Sequence, residues 1–437
     1  MRILVATDNR FWRQALGSHQ RIYHLLKFLH NQGHELEIMF VGAPTIDDDR
    51  AMRELDFVQI QATQAVITQV NSGMADSPSQ LRSTLRECMH RLRRMPLEAA
   101  YRFRHGGFFQ WSSFRLSMRE PKLRDFVQPA AIAELNRRLS ERLPDVLVVE
   151  YLRLSYLVDA IPAACRRKLT VLLDTHDVLS ERRLRFHNAG QPHDVDVTPA
   201  EETAALAKYD AVIAIQARDA ATFKALAPQS TVIVAGHAEL RREARHPELA
   251  VPRFLFLGSH MKPNLDAARR LALDIWPEIN RRLSGKASLS IVGKAGEGLT
   301  DLELAPNIDI EGHVASLADT YRTHNIFLNP VDFGGGLKIK NVEALAQGMA
   351  LVTTSIGAEG LDIGAGSAFM VANSDQQFID AACRIATDPA LRQSLSDEAR
   401  KFSGRHLGPQ STYGELLKYL GIRTASSGFA RGADAVR

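Results

Sequence analysis

Short runs of consecutive apolar residues, each followed by a stretch of helical periodicity, recur along most of this chain. The first run is ILVAT at residues 3–7, and apolar residues then recur at helical spacing from Ile22 to Leu29. Strands that are apolar on successive positions are typical of parallel sheets covered by helices on both faces. The pattern continues through DVLVVEY, TVLLD, AVIAI and TVIVA, and a second series contains RFLFLGS, SLSIV, IFLN and ALVTT. We therefore predict an α/β fold with two Rossmann-like parallel-sheet domains that face each other across a cleft.

The two series of strands are separated by a polar segment at residues 240–250 that is rich in charges and helix breakers. The N-terminal domain is predicted over residues 1–245, with a helical insertion at about 60–140 where no strand pattern occurs. The C-terminal domain is predicted over residues 246–423. Residues 424–437 lack apolar periodicity and are predicted to form a disordered tail.

The predicted insertion is strongly basic, although the whole chain carries a formal net charge of only +4. Residues 81–124 contain 11 Arg/Lys and 3 Glu, with aromatic residues interleaved. This composition suits peripheral contact with an anionic membrane surface at which a lipid-linked acceptor could be presented. The alternative is a solvated helical insertion whose aromatic side chains form its core. The rest of the chain shows no nucleic-acid-binding motif, so no nucleic-acid partner is predicted.

The three cysteines, Cys88, Cys165 and Cys383, are far apart and follow no metal-ligand spacing. We predict no disulfide framework and a cytoplasmic protein. The N-terminal apolar run is too short for a signal peptide, and no transmembrane helix is expected. No D-x-D cluster follows a strand and no His/Cys set occurs, so neither a metal nor a cofactor is predicted.

Glycine turns follow two strands of the second series. Gly258 and Ser259 follow RFLFL, with Lys262 close by, and Gly293 follows SLSIV. A glycine at a strand end lets the backbone approach a ligand, and the next helix favours an anion at its N-terminus. The alternative at both turns is a helix cap that binds nothing.

The most specific stretch is NPVDFGGGLKIKNVEALAQG, which joins a strand to a helix. Consecutive amides of Gly334–Gly336 would form an anion nest, and Lys338 adds a positive charge. Glu343 suits paired hydroxyl groups such as a ribose diol. The alternative is a loop that is glycine-rich because it packs tightly, with Lys338 and Glu343 in solvent.

This stretch resembles the retaining GT-B glycosyltransferases, a family that includes many bacterial polysaccharide and lipopolysaccharide transferases. It is similar to a subgroup that writes the motif as GGGLKxK followed by EALA. In the wider family, a glutamate eight residues before Glu343 contacts the donor sugar; Gly335 stands there in this chain, and Asp332 is the nearest replacement. Ser259 stands where the wider family places an arginine, and His313 and Val314 match the turn that reads the nucleobase.

The N-terminal domain resembles the same family more loosely. LLDTHD is similar to a strand that ends in a histidine, which places His176 near the donor sugar or its phosphate. The alternative is a histidine buried in the core. Gly17 and Ser18 match a glycine turn near acceptor and diphosphate, and Glu150 is expected to face the acceptor.

The resemblance implies transfer from a nucleotide-diphosphate sugar, UDP- or GDP-linked, to a glycan or lipid-linked glycan. It implies retention at the anomeric carbon without a metal, with the leaving diphosphate stabilised by amides and lysine. Two alternatives remain: a nucleotide-sugar 2-epimerase of the same fold, and a non-catalytic nucleotide-sugar-binding protein. The predicted catalytic residues are His176, Lys338 and Glu343; the donor-binding set is Gly258, Ser259, Lys262, Gly293, His313, Val314, Gly334, Gly335, Gly336, Leu337, Lys338 and Glu343; the sugar and acceptor set is Gly17, Ser18, Glu150, Asp332 and Phe333.

Overall fold

The structure is a computed structural model that describes residues 1–14, 16–55, 57–62, 120–241, 249, 251–312, 314 and 317–433. The segment 63–119, which holds most of the predicted basic insertion, and His313 lie outside the described residues.

The first described sheet has seven strands, all paired in parallel. Their order is β3-β2-β1-β4-β5-β6-β7. The strands are β1 (Arg2–Thr7), β2 (Glu35–Phe40), β3 (Gln59–Ala62), β4 (Val146–Glu150), β5 (Thr170–Asp174), β6 (Ala211–Ala214) and β7 (Thr231–Val234). Its helices are α1 (Gly17–Asn31), α2 (Ile46–Arg53), α3 (Pro129–Glu141), α4 (Tyr156–Asp159), α5 (Ala163–Arg166), α6 (Leu179–Asn188), α7 (Pro199–Leu206) and α8 (Ala217–Leu226).

The second described sheet has six strands, again all parallel, in the order β10-β9-β8-β11-β12-β13. The strands are β8 (Arg253–Leu257), β9 (Ser288–Val292), β10 (Ile308–Glu311), β11 (Ile326–Asn329), β12 (Ala350–Thr353) and β13 (Met370–Val371). Its helices are α9 (Lys262–Arg270), α10 (Trp276–Arg282), α11 (Leu317–Arg322), α12 (Ile339–Ala346), α13 (Ser355–Ala358), α14 (Asp375–Thr387), α15 (Pro389–His406) and α16 (Pro409–Ala433), with a π-helical turn at Leu271–Ile275.

Both sheets are buried on both faces, which explains their continuous apolar strands. Along β1, Leu4 and Ala6 join one core cluster, whereas Ile3 and Val5 join another on the opposite face. Along β8, the phenylalanines and the leucines divide in the same way. Because successive side chains of a strand point to opposite faces, each face of each sheet needs its own apolar set.

The strand order reverses between β1 and β4 in the first sheet, and between β8 and β11 in the second. Loops that leave the carboxyl ends of the strands diverge at such a point, and they leave a crevice in which ligands bind. The residues after β4, β8 and β11 therefore lie where the topology favours a site.

After α15 the chain returns to the first domain. In α16, Tyr413, Leu416 and Leu420 are buried in a core cluster of the first domain, and Glu415 Oε2 accepts a hydrogen bond of 3.0 Å from the Val234 amide. The second domain was predicted to extend to residue 423. Helix α16 begins within those bounds but packs on the first sheet, because its apolar side chains are buried there.

Two further features differ from the predicted organisation. Strand β3 extends the first sheet at residues 59–62, in a region where no strand was predicted, because it pairs with β2 despite its polar sequence. Helix α16 continues through Thr424 to Ala433, within the predicted disordered tail, since no proline interrupts its backbone hydrogen bonds.

Candidate functional site

The loop between β11 and α12, residues 330–338, meets the first domain directly. Gly334 has φ 122° and Gly336 has φ 64°, conformations that glycine adopts at little cost. A Cβ atom at Gly335 would lie 2.8 Å from Asp177 Oδ1, and one at Gly336 would collide with the same oxygen and lie 3.1 Å from the His176 carbonyl. The alternative of a tightly packed loop is therefore correct in part, because the two domains touch through these glycines.

The backbone polar groups of this glycine loop are divided in a way that suits an anion. The Gly334 carbonyl accepts a hydrogen bond of 2.9 Å from Arg185, and Lys338 Nζ donates to the carbonyls of Gly335 and Gly336 at 3.2 and 2.7 Å. The three glycine amides donate to no other described residue. The loop carbonyls are thus bonded to Arg185 and Lys338, while the loop amides remain available to a ligand.

Lys338 is not a solvated side chain. Besides the two carbonyls, its Nζ lies 3.7 Å from Glu359 Oε2, and burial lowers its pKa. It stabilises the shape of the glycine loop and adds positive charge beside it.

Lys340, two residues further on, was not among the predicted site residues. Its Nζ donates to the Leu257 carbonyl at 2.7 Å and to Asn264 Oδ1 at 2.6 Å, and lies 4.6 Å from the centre of the Phe256 ring. Burial, followed by repulsion from Lys338, lowers the pKa of Lys340 to about 7. The signal for Lys340 was the second lysine of the K-x-K pattern, and its amino group lies at the end of β8.

Glu343 is partly buried rather than fully solvated. Its Oε2 accepts a hydrogen bond of 2.9 Å from the Tyr321 hydroxyl. Burial, with a smaller contribution from Glu239, raises the pKa of Glu343 to about 7. A contact with a ribose diol stays a prediction, and it requires the ligand to compete with or join Tyr321.

The turns after β8 and β9 are glycine-rich because they pack on each other. A Cβ at Gly293 would lie 2.5 Å from the Gly258 carbonyl, and one at Gly258 would lie 2.5 Å from the Ala295 Cβ. Ser259 Oγ accepts a hydrogen bond of 2.9 Å from Asn264 Nδ2. Lys262 forms an exposed ion pair with Asp266, and its contact with a diphosphate stays a prediction.

His176 lies at the carboxyl end of β5, next to the glycine loop, and it is 5% exposed. Its Nε2 lies 2.8 Å from Glu150 Oε2, and its ring stacks on Tyr151 at 4.2 Å with an interplanar angle of 14°. His176 and Tyr151 both have positive φ, 63° and 67°, which is uncommon for residues other than glycine. Both strained residues end neighbouring strands, as is frequent at functional sites.

Glu150 does not face the cleft. It is 1% exposed and bonds to His176, because it is the last residue of β4 and points between the strand ends. Burial raises its pKa to about 7 and lowers that of His176 to about 4. This burial argues against the expectation that Glu150 faces the acceptor.

Glu359, which follows α13, joins the two domains. Its carboxylate receives Arg185 at 2.8 Å on both oxygens and Arg218 at 3.0 Å, and both arginines belong to the first domain. The sequence analysis assigned no role to Glu359, since its partners lie more than a hundred residues away in the chain.

Some of the remaining predicted residues lie at the contact between the two domains, and others lie outside it. A Cβ at Gly17 would lie 2.9 Å from Ile339 Cγ1, and the Phe333 ring contacts Phe186 at 5.4 Å, so both lie between the domains. Asp332 is exposed and pairs with Arg270, and its replacement of the glutamate missing at Gly335 stays a prediction. In addition, Ser18 Oγ accepts a long hydrogen bond of 3.4 Å from Asn9, and Val314 and Leu337 pack against a second-domain core cluster.

One group of potential metal ligands occurs among the described residues: Glu150, Asp174 and His176 place one ligand atom each within 4.8 Å of one another. Asp174 is already paired with the buried guanidinium of Arg21, and Glu150 is paired with His176. The set is thus compensated by protein groups, and it fits an internal ion-pair cluster better than a metal. Among the described helices, none combines the length and apolar character needed to cross a membrane.

Residues 251–388 match the family model of the glycosyl transferases group 1. This match contains the glycine loop, both lysines, Glu343 and Glu359. An uncharacterized 44.6 kDa protein in the cps region of Klebsiella pneumoniae is 34% identical in an alignment of 182 residues that covers 38% of this chain and 45% of that protein. The alignment therefore spans less than half of this curated relative.

Solved structures with the same fold cover the whole molecule. Sucrose-phosphate synthase from Thermosynechococcus elongatus aligns with a TM-score of 0.64 and 13% identity over 100% of both chains. Anabaena Alr3699/HepE, solved in complex with UDP and glucose, aligns with a TM-score of 0.62 and 10% identity over 96% of this chain and 99% of that chain. At such identities the likeness concerns the fold alone, and it confirms the predicted GT-B architecture of two parallel-sheet α/β domains.

Proposed function

We propose that this protein is a glycosyltransferase that moves a sugar from a nucleotide-diphosphate sugar to a glycan or lipid-linked glycan. The observation that carries the proposal is the glycine loop, which lies within the segment matched to the group 1 glycosyl transferases and opposite His176. Its unengaged amides, with Lys338 and Lys340 beside them, suit the two phosphates of such a donor.

The mechanism that we propose needs no protein nucleophile. The amides and the two lysines stabilise the negative charge that develops on the departing diphosphate. The acceptor hydroxyl attacks the same face of the sugar, with retention, while the departing phosphate takes its proton. Closure of the two domains would exclude water, which otherwise hydrolyses the donor. We propose that the reaction proceeds without metal or other cofactor, which a comparison of rates with Mg²⁺ and with EDTA would test.

Donor binding is tested by thermal unfolding in the presence of nucleoside diphosphates. A ligand that binds only the folded state at a hundredfold excess over its Kd stabilises that state by about 2.7 kcal/mol. We expect stabilisation by UDP or GDP, weaker stabilisation by the nucleoside monophosphate, and none by the nucleoside. If no nucleoside diphosphate raises the Tm, the proposed donor class is wrong.

The reaction type is tested by incubating the stabilising nucleotide-sugar with and without an extract of glycans and lipid-linked glycans. A transferase releases the nucleoside diphosphate faster when the acceptor is present. Formation of an epimeric nucleotide-sugar without acceptor would establish the epimerase alternative instead. Binding with neither product would establish a non-catalytic binding protein.

The basic, aromatic composition of residues 81–124 leads us to propose peripheral contact with an anionic membrane. Co-sedimentation with vesicles of phosphatidylglycerol and phosphatidylethanolamine tests it. We expect binding that weakens as salt is raised, and no binding to vesicles of phosphatidylcholine. Equal binding to both kinds of vesicle, or to neither, would contradict the proposal.

A further inference from the structure

Asp177 is a carboxylate of the first domain that lies against the glycine loop. Its Oδ1 lies 2.8 Å from the position that a Cβ atom at Gly335 would take, and a Cβ atom at Gly336 would collide with it. The Asp177 side chain is 18% exposed, and Arg182 Nε lies 3.7 Å from its Oδ2, which is too far for a hydrogen bond. Among the described residues, none donates a hydrogen bond to this carboxylate. Asp177 is thus largely buried and still has free acceptor oxygens.

The cation beside Asp177 does not supply these hydrogen bonds, because it has other partners. Arg182 Nη1 donates to Asp194 Oδ2 at 3.5 Å, and the Arg182 guanidinium lies 5.2 Å from the centre of the Phe186 ring. A carboxylate can accept about four hydrogen bonds, and burying one without donors is costly. A ligand that enters the cleft can supply the donors that Asp177 lacks.

The groups around Asp177 indicate which ligand atoms it would contact. Burial lowers the pKa of Lys338, and Glu359 and then Asp177 oppose that shift, so Asp177 lies close to this lysine. Lys338 and the free amides of the glycine loop suit the diphosphate of the donor, whose oxygens accept hydrogen bonds and repel a carboxylate. The sugar is bonded directly to the diphosphate, and its hydroxyl groups donate hydrogen bonds. A carboxylate beside the diphosphate therefore fits hydroxyl groups of the sugar.

The lack of a side chain at Gly335 leaves room for Asp177. Gly335 does not have a positive φ, so its backbone conformation does not require glycine. Instead, a Cβ atom at this position would meet Asp177 Oδ1 and would lie 3.3 Å from Cβ and Cδ of Arg182. The space beside residue 335 is therefore occupied by a carboxylate of the opposite domain.

We propose that Asp177 determines donor specificity by accepting hydrogen bonds from hydroxyl groups of the donor sugar. This inference rests on the proposed function, since it takes the donor diphosphate to lie at the glycine loop, and it adds which domain contacts the sugar. The second domain holds the phosphates, and the first domain supplies the carboxylate. A nucleoside diphosphate thus needs only the second domain, whereas a nucleotide-sugar also needs Asp177.

Isothermal titration calorimetry of the full-length protein separates the two halves of the donor. UDP and GDP are compared with UDP-glucose, UDP-galactose, UDP-N-acetylglucosamine and GDP-mannose, and the tightest nucleotide-sugar is used with its nucleoside diphosphate. Asp177→Asn keeps the shape of the side chain and removes its charge. It should weaken binding of the nucleotide-sugar at least about tenfold, since hydrogen bonds to a charged acceptor are strong. Binding of the nucleoside diphosphate should not weaken, because a negative charge beside the phosphates is lost.

Two further variants serve as controls. Asp194→Asn removes another carboxylate partner of Arg182, which is 54% exposed, and should leave both affinities unchanged. Asp332→Asn tests the residue that the sequence predicted for the sugar contact, and Asp332 pairs with Arg270 instead of lying against the glycines. A selective loss of nucleotide-sugar binding in Asp332→Asn, with Asp177→Asn unaffected, would assign the contact to Asp332 and overturn the proposal.

The remaining outcomes distinguish a sugar contact from a structural role. If Asp177→Asn weakens binding of both ligands equally, or of neither, Asp177 does not contact the sugar and the proposal is wrong. Asp177→Ala repeats the measurement if Asp177→Asn fails to fold. Wild-type protein that binds a nucleoside diphosphate but none of these nucleotide-sugars would also overturn the proposal. If the wild-type protein binds no nucleotide at all, the proposed function itself fails, whereas unchanged selectivity in Asp177→Asn refutes the role of Asp177 alone.

Discussion

Gly336 has a left-handed backbone conformation and lies where the two domains approach each other closely. The φ of 64° is costly for any residue with a Cβ, and such an atom would collide with Asp177. Gly336 also belongs to the loop whose glycine amides are available to a ligand. Single residues in this loop therefore act on domain contact and on ligand binding together.

Gly336→Ala should raise the donor KM at least about tenfold, because the first domain must move away from the loop or the backbone must leave its conformation. It should also destabilise the protein by about 1 kcal/mol or more. Gly298→Ala is the control, since a Cβ there meets no atom within 4 Å. Donor kinetics and urea unfolding measure both effects; equal behaviour of the two variants would contradict the argument.

Lys340 should make stability depend on pH. Its pKa in the folded chain, about 7, lies below the ordinary 10.5, so the unfolded chain binds more protons between these values. The free energy of unfolding should therefore rise with pH from about 7 to about 10 through this group. Lys340→Met should remove that part of the rise, and exposed Lys286→Met should not. Urea unfolding at several pH values tests this, and a slope unaltered in Lys340→Met would show that Lys340 is not responsible.

At the scale of the elements, the start of α12 is held by side chains rather than by its N-cap. Lys338 is the N-cap residue of α12, but its side chain makes no capping hydrogen bond to the first turn of the helix. Instead, Asn341 accepts from Asn329 Nδ2 at 2.9 Å and donates to Thr353 Oγ1 at 3.1 Å and to the Gly357 carbonyl at 2.8 Å. These bonds join α12 to β11, β12 and α13, and they hold the glycine loop in place.

Asn341→Ala should destabilise the protein by about 1–3 kcal/mol, because it leaves buried polar groups without partners. Asn373→Ala, which removes an exposed residue that accepts from Ser355, should cost less than about 1 kcal/mol. Urea unfolding compares the two variants. A smaller loss for Asn341→Ala than for Asn373→Ala would mean that the network does not stabilise α12.

Some helices and strands could be predicted from sequence patterns, and others could not. The strands of both sheets follow from their apolar runs, because burial on both faces leaves no room for alternation. Strand β3 does not, since its sequence QIQA is polar and only its pairing with β2 makes it a strand. Likewise, the return of α16 to the first domain depends on a surface that only the folded first domain offers.

At the scale of the whole molecule, the two domains are joined by Glu359, a carboxylate of the second domain held by two arginines of the first. The side chain of Glu359 is 7% exposed, so its ion pairs are less screened than those at the surface. Lys338, which also contacts the glycine loop, lies beside it. Glu359 therefore links the contact between the domains to the shape of the loop.

Glu359→Gln should shift the ligand-free protein toward more open arrangements of the domains, since one amide cannot replace a carboxylate shared by Arg185 and Arg218. Small-angle X-ray scattering should record a larger radius of gyration, and the donor KM should rise. Glu398→Gln serves as control, because Glu398 forms an exposed ion pair with Lys401 of the same helix. Identical scattering from both variants would argue against Glu359 as the link between domains.

The order of apolar runs along the chain indicated that two parallel sheets form, since short, continuously apolar runs that alternate with helical periodicity are typical of strands buried on both faces. The motif around Gly334–Gly336 also indicated where a ligand site lies. What Glu150, Lys340 and Glu359 do was decided by the tertiary structure alone. Their partners are distant in sequence and meet them only when the strands align and the domains close. A burial-dependent pKa or an ion pair between domains has no local pattern by which a sequence could reveal it.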